Sequence, residues 1–78
     1  QKISFNYYGP SVEAVLDKFP MAKVVNEEEG VCSIEAEVFG TGVKMWLLSQ
    51  GSKVEVTAPE TLVQEIKQEI ERMNNQYK

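Results

Sequence analysis

Carboxylates are the residues in this sequence with the strongest claim to chemistry. Glu35 and Glu37 stand two apart in the alternating stretch from Val31 to Phe39, and Glu27-Glu28-Glu29 runs just ahead of it. Two carboxylates on one strand face are raw material for general acid and base catalysis, and three in a row invite comparison with a cation loop. Neither comparison survives the spacing. Hard-cation loops intersperse their oxygen ligands and close with a bidentate carboxylate, so the Glu27–Glu29 run reads as a solvated turn. Lys2, Lys23 and Lys53 are the expected cross-strand neighbours of Glu35 and Glu37, which makes ordinary surface ion pairs of them.

Little else is available for catalysis. The chain has no histidine, Cys32 has no base beside it, and the single arginine, Arg72, lies in the last segment. Ser11 is better explained as a helix N-cap. No catalytic, metal-binding or cofactor-binding residue is assigned, and an enzyme is not expected. The lone Cys32, between Val31 and Ser33 and near Ile34, reads as a small buried hydrophobe in a reducing compartment, hence the cytoplasm.

With 78 residues the chain is one small domain, and its formal charge of −4 with an isoelectric point near 4.7 repels phosphate backbones. Direct contact with nucleic acid is therefore not expected. No apolar run is long enough to span a bilayer, and no secretion signal is recognisable. The chain enters a strand-like segment directly after Gln1, the pattern of a piece cut from a longer protein at a domain boundary.

The elements follow from periodicity. Lys2–Tyr8 alternates, with Ile3, Phe5 and Tyr7 on one face, and Gly9-Pro10 breaks it. Val12, Val15, Leu16 and Phe19 then fall at helical spacing until Pro20 stops the run. Met21–Asn26 and Val31–Phe39 form a hairpin around the Glu27–Gly30 turn, the second arm presenting Cys32, Ile34, Ala36 and Val38 to a core. Gly40, Thr41 and Gly42 precede a helix with Val43, Trp46, Leu47 and Gln50 on one side, and Gly51 fits the left-handed position that ends helices. Lys53–Thr57 is a fourth strand with Val54 and Val56 inward. Pro59 suits the first turn of a last helix, Glu60 to about Tyr77.

The order β, α, β, β, α, β with an added helix predicts an α+β, ferredoxin-like βαββαβ sandwich: a four-stranded antiparallel sheet, strands one and three central. Residues 1–58 form that core and 59–78 the extra C-terminal helix. Acylphosphatases share the fold but need an anion-cradling loop with an arginine after strand one, where this chain has Tyr8-Gly9-Pro10-Ser11. RNA-recognition domains also share it, yet they show a basic, aromatic open face on strand three, and this one shows Ser33, Glu35 and Glu37.

Trp46-Leu47-Leu48, then Gly51, Val54-x-Val56, Pro59 and Leu62, then a helix with Met73 ending near Tyr77, resembles the C-terminal extension (WCX) domain of bacterial WYL-domain transcriptional regulators. The resemblance is close over the second half of the chain and holds by pattern over the first. It implies a regulator with a DNA-binding helix-turn-helix, a ligand-sensing WYL domain and this extension, which helps dimerise the protein or shape its effector response. Trp46, Gly51 and Pro59 carry the signature, with Trp46 itself expected as a core anchor. Trp46-Leu47-Leu48 is not the motif that names the WYL domain, and the basic residues of that domain lie outside this sequence.

Two sites follow. The last helix carries Leu62, Ile66, Ile70, Met73 and Tyr77 as a continuous apolar stripe, which either folds back on the domain's own sheet edge or core rim or, as expected through Ile66, Ile70, Met73 and Tyr77, meets a second copy in a homodimer. The alternative is a small-molecule sensing module like the ACT family, whose ferredoxin-like domains place a ligand loop ahead of helix one. Here that loop is Tyr8, Gly9 and Pro10, and the partner would be a small-molecule effector.

Overall fold

Ile3, Phe5 and Tyr7 alternate along the first strand, and all three are buried while Lys2, Ser4 and Asn6 between them are not. That period-two burial marks a sheet with one covered face and one open to water. The computed structural model describes residues 1–40 and 42–78; Thr41, which the sequence places between two glycines ahead of the second helix, lies outside the described residues. The elements run β1 (Lys2–Tyr7), α1 (Val12–Lys18), β2 (Lys23–Glu28), β3 (Val31–Glu37), α2 (Gly42–Ser49), a short 3-10 turn (Gly51–Lys53), β4 (Val54–Ala58) and α3 (Glu60–Gln76).

The four strands form one antiparallel sheet in the order β2-β3-β1-β4. This is the expected ferredoxin-like arrangement with an extra C-terminal helix. β1 pairs with β3 along its whole length, from Lys2 opposite Glu37 to Tyr7 opposite Cys32. The core gathers Ile3, Phe5 and Tyr7 with Cys32, Ile34, Ala36 and Val38 from the sheet, then Val15, Leu47 and Leu62 from the three helices. All of these lie on the covered side, so the helices share one face. Each fully buried aliphatic or aromatic side chain contributes about 1.5–3 kcal/mol relative to exposure.

Trp46 joins this core as expected. Its ring meets Phe19 edge-on at 4.9 Å and Phe5 at 6.2 Å, and Phe5 meets Phe19 at 6.4 Å. These T-shaped contacts set the positive edge of one ring against the negative face of another. They pin α1 and α2 to the central strand. Phe19 follows the seven-residue α1, closing it with an N–H to the Val15 carbonyl at 3.0 Å. Ser11 stands at the N-cap with extended backbone, but its hydroxyl makes no capping hydrogen bond.

Details differ from the sequence reading: the second strand is Lys23–Glu28 rather than Met21–Asn26, the third ends at Glu37 rather than Phe39, and the fourth is Val54–Ala58 because Lys53 belongs to the 3-10 turn. Glu28 pairs with Val31, so the β2–β3 turn holds only Glu29 and Gly30, not Glu27–Gly30. Both have positive φ, 50° and 81°, the requirement of a two-residue turn whose twist matches the strands. Pro59 sits at the N-cap of α3, with ψ 165°, rather than in its first turn; extended backbone there makes Glu60 the first helical residue. Lys53 is no neighbour of Glu35 or Glu37, because the strand order sets β4 beside β1 and leaves β3 on the other side. Lys2 is the partner, its Nζ 3.4 Å from Glu35. Gly51 has φ 60°, the left-handed ending expected after α2.

Candidate functional site

The stripe of α3 begins in the core and leaves it. A 17-residue helix is about 25 Å long, whereas the five-residue β4 on which it lies spans about 17 Å. Leu62 is buried and Ile66 packs against the core, but Ile70 is 52% exposed, Met73 44% and Tyr77 89%. The four residues expected as dimer contacts therefore divide: Ile66 serves the domain's own packing, and the other three continue the same apolar line over solvent. Two shallow grooves flank this line. One, of about 330 Å³, is bordered by Leu47, Leu48, Gly51, Val54, Ile70 and Met73. The other, of about 400 Å³, lies between Val54, Val56, Val63, Lys67 and Ile70.

One ion pair joins the helix to its neighbour and a second lies within it. Lys44 on α2 reaches Glu69 on α3 at 3.8 Å, and Arg72 reaches the same carboxylate at 3.2 Å one helical turn on. At partly exposed positions each contributes at most about 1 kcal/mol, so the Lys44 pair orients α3 more than it holds it. Leu48, which borders the first groove, had no place in the α2 face read from the sequence. The signal was present: Leu48 follows the core-facing Trp46-Leu47 pair by one step, on the flank that α3 occupies.

The Tyr8-Gly9-Pro10 loop is tied to the segment that leads into β4 and packs against Tyr7. The Tyr8 backbone N–H donates to the Lys53 carbonyl at 2.7 Å, and its hydroxyl donates to Glu55 Oε1 at 2.7 Å. Gly9 lies against the ring of Tyr7, so that a Cβ there would collide with the Tyr7 hydroxyl and Cζ. Tyr8 opens a polar line across the open face of the sheet. Asn6 Nδ2 donates to Glu55 at 3.3 Å, and Ser33 Oγ donates to Asn6 Oδ1 at 3.0 Å, joining β4, β1 and β3. The bond to Glu55 raises the Tyr8 hydroxyl above its ordinary pKa, and the bonds from Tyr8 and then Asn6 hold Glu55 below its own.

Cys32 is buried, which raises its thiol pKa, and the nearby Glu27 carboxylate, 3.4 Å from Sγ, raises it further. A thiol kept protonated is a poor nucleophile. Among the described residues no group of three or more histidine, cysteine or carboxylate side chains is placed to hold a metal ion, and no helix is long and apolar enough to cross a membrane.

No curated protein and no solved structure matches this chain. The family model described as the WCX domain does, over residues 3–73, from the start of β1 through the exposed Met73 of α3. That span contains Trp46 against the core aromatics, the left-handed Gly51 and the Pro59 cap, and it places the sequence in the setting of WYL-type regulators. The chain belongs to the WCX domain family.

Proposed function

We propose that this domain is the C-terminal dimerisation and effector-response module of a bacterial, cytoplasmic, WYL-type transcriptional regulator, and that it performs no catalysis. One observation supports this reading above the others: the apolar line of α3 that starts at buried Leu62 runs on, uncovered, through Ile70, Met73 and Tyr77. Contiguous apolar surface of this kind is uncommon on a protein that stays alone in water. A second copy carries the same line, and two such lines crossing about a two-fold axis bury each other. The regulator's own WYL and helix-turn-helix domains supply effector and DNA binding. Pairing through α3 sets the distance between two DNA-binding domains, and a shift of that pair carries the effector state to them.

Sedimentation velocity on the chain and on its Ile70→Glu variant tests the reading. Ile70 is half exposed, so the variant keeps its far-ultraviolet circular dichroism and loses association by at least tenfold. A variant that associates as well as the parent refutes pairing through α3, and one that unfolds assigns the line to the core.

A further inference from the structure

The edge of the sheet farthest from α3 carries a second uncovered surface. All six residues of β2 are exposed. Val24 stands opposite fully buried Ile34 yet is 41% exposed, and Val25 is 54% exposed. An edge strand also presents unpaired backbone N–H and C=O groups along its outer side.

The pairing with β3 fixes which way the β2 side chains face. Lys23, Asn26 and Glu28 lie opposite Glu35, Ser33 and Val31 and share their open face; Val24 and Glu27 lie opposite Ile34 and Cys32 on the other; Val25 sits at the bulge between Val24 and Asn26. When two β2 strands pair antiparallel about a two-fold axis, residues that oppose each other must share a face. With Val25 bulged out of the ladder in each copy, the regular positions are Lys23, Val24, Asn26, Glu27 and Glu28, so an axis at Asn26 sets Lys23 of each copy opposite Glu28 of the other and Val24 opposite Glu27. No like charges meet. Within the chain Glu35, the register neighbour of Lys23, is taken by Lys2, and among the described residues neither Lys23 nor Glu28 forms an ion pair.

We propose that β2 is a self-association surface at which two copies join their sheets edge to edge, held in register by two Lys23–Glu28 pairs across the axis. The occupant is a second copy because the strand is complementary in charge to itself, and the six-residue length of β2 limits the pairing to the short segment Lys23–Glu28. This surface is independent of α3, which packs at the opposite edge of the sheet.

A charge swap tests it. In the Ile70→Glu background, which silences α3, sedimentation velocity across a concentration series at low salt is run on the parent, on K23E, on E28K, on K23E/E28K and on an equimolar mixture of the two single variants. The parent dimerises. Each single variant opposes like charges twice and associates roughly tenfold more weakly. The double variant restores association, and so does the mixture, since in each mixed pair the two acidic side chains of one variant face the two basic side chains of the other. A parent that is monomeric at every concentration, or single variants that associate unchanged, or a mixture that does not recover, overturns the proposal. Failure of the α3 reading shows separately, as an Ile70→Glu substitution that changes nothing in the otherwise unaltered chain.

Discussion

Gly9→Ala isolates one steric relation in the fold. The backbone of Gly9 is not in the left-handed region, so alanine is tolerated there conformationally, and the loss of unfolded-state entropy would by itself stabilise by about 0.4–1 kcal/mol. The obstacle is the Tyr7 ring, whose hydroxyl and Cζ occupy the place of the new methyl. Tyr7 is 5% exposed and closed in by the core, so it cannot swing aside freely. Overpacking of this kind costs about 1–3 kcal/mol, which leaves a net loss of about 1–2 kcal/mol. For a domain of this size each kcal/mol moves Tm by about 4–8 °C, giving a fall of about 4–16 °C. Urea and thermal unfolding of Gly9→Ala, Tyr7→Leu and the double variant provide the assay. Leucine lacks the atoms that collide, so Gly9→Ala should be neutral or slightly stabilising when Tyr7 is leucine. An equal loss in both backgrounds would refute the steric argument and free the Tyr8-Gly9-Pro10 loop for another role.

Trp46→Ala removes the ring that joins Phe5 and Phe19 and should cost about 3 kcal/mol, most of what a domain this small holds, read as loss of cooperative urea unfolding. Glu29→Gly relieves a positive φ on a residue with a side chain and should raise stability by about 0.5–1 kcal/mol in the same measurement; a decrease would contradict the two-residue turn. Glu55, held below its ordinary pKa by the bonds from Tyr8 and Asn6, contributes stability that is present above its unfolded pKa and lost as pH falls through its folded value. Tyr8→Phe should return the carboxyl-carbon titration of Glu55 toward the ordinary range, while an unchanged midpoint would remove Tyr8 as the cause. Tyr8 itself, raised by Glu55, contributes below its unfolded pKa of about 10 and ceases to as pH rises through its folded value.

The strand faces, the helix stripes and their order were legible in the sequence because each is a local periodicity: Ile3-Phe5-Tyr7 and Cys32-Ile34-Ala36 at period two, Trp46-Leu47 and Leu62-Ile66 at helical spacing. The ferredoxin-like topology followed, since short hairpins and right-handed crossovers admit few arrangements of that order. Features that depend on which distant segments meet were decided by tertiary structure. Lys53 was expected beside Glu35 on charge alone, although the topology read from the same sequence already set strand four beside strand one; that order put Glu55 and Tyr8 into one hydrogen bond instead. The turn narrowed to Glu29-Gly30 because pairing of Glu28 with Val31, a register between two strands, outweighed the appearance of a charged loop.

The stripe of α3 shows the division most clearly. Sequence determined that Leu62, Ile66, Ile70, Met73 and Tyr77 share one side of a helix, because the spacing of 4, 4, 3 and 4 residues follows the helical repeat. It carried no information on where the support beneath that helix ends. Tertiary structure set that limit by laying a helix of about 25 Å along a strand of about 17 Å, so identical apolar residues become core at one end and surface at the other.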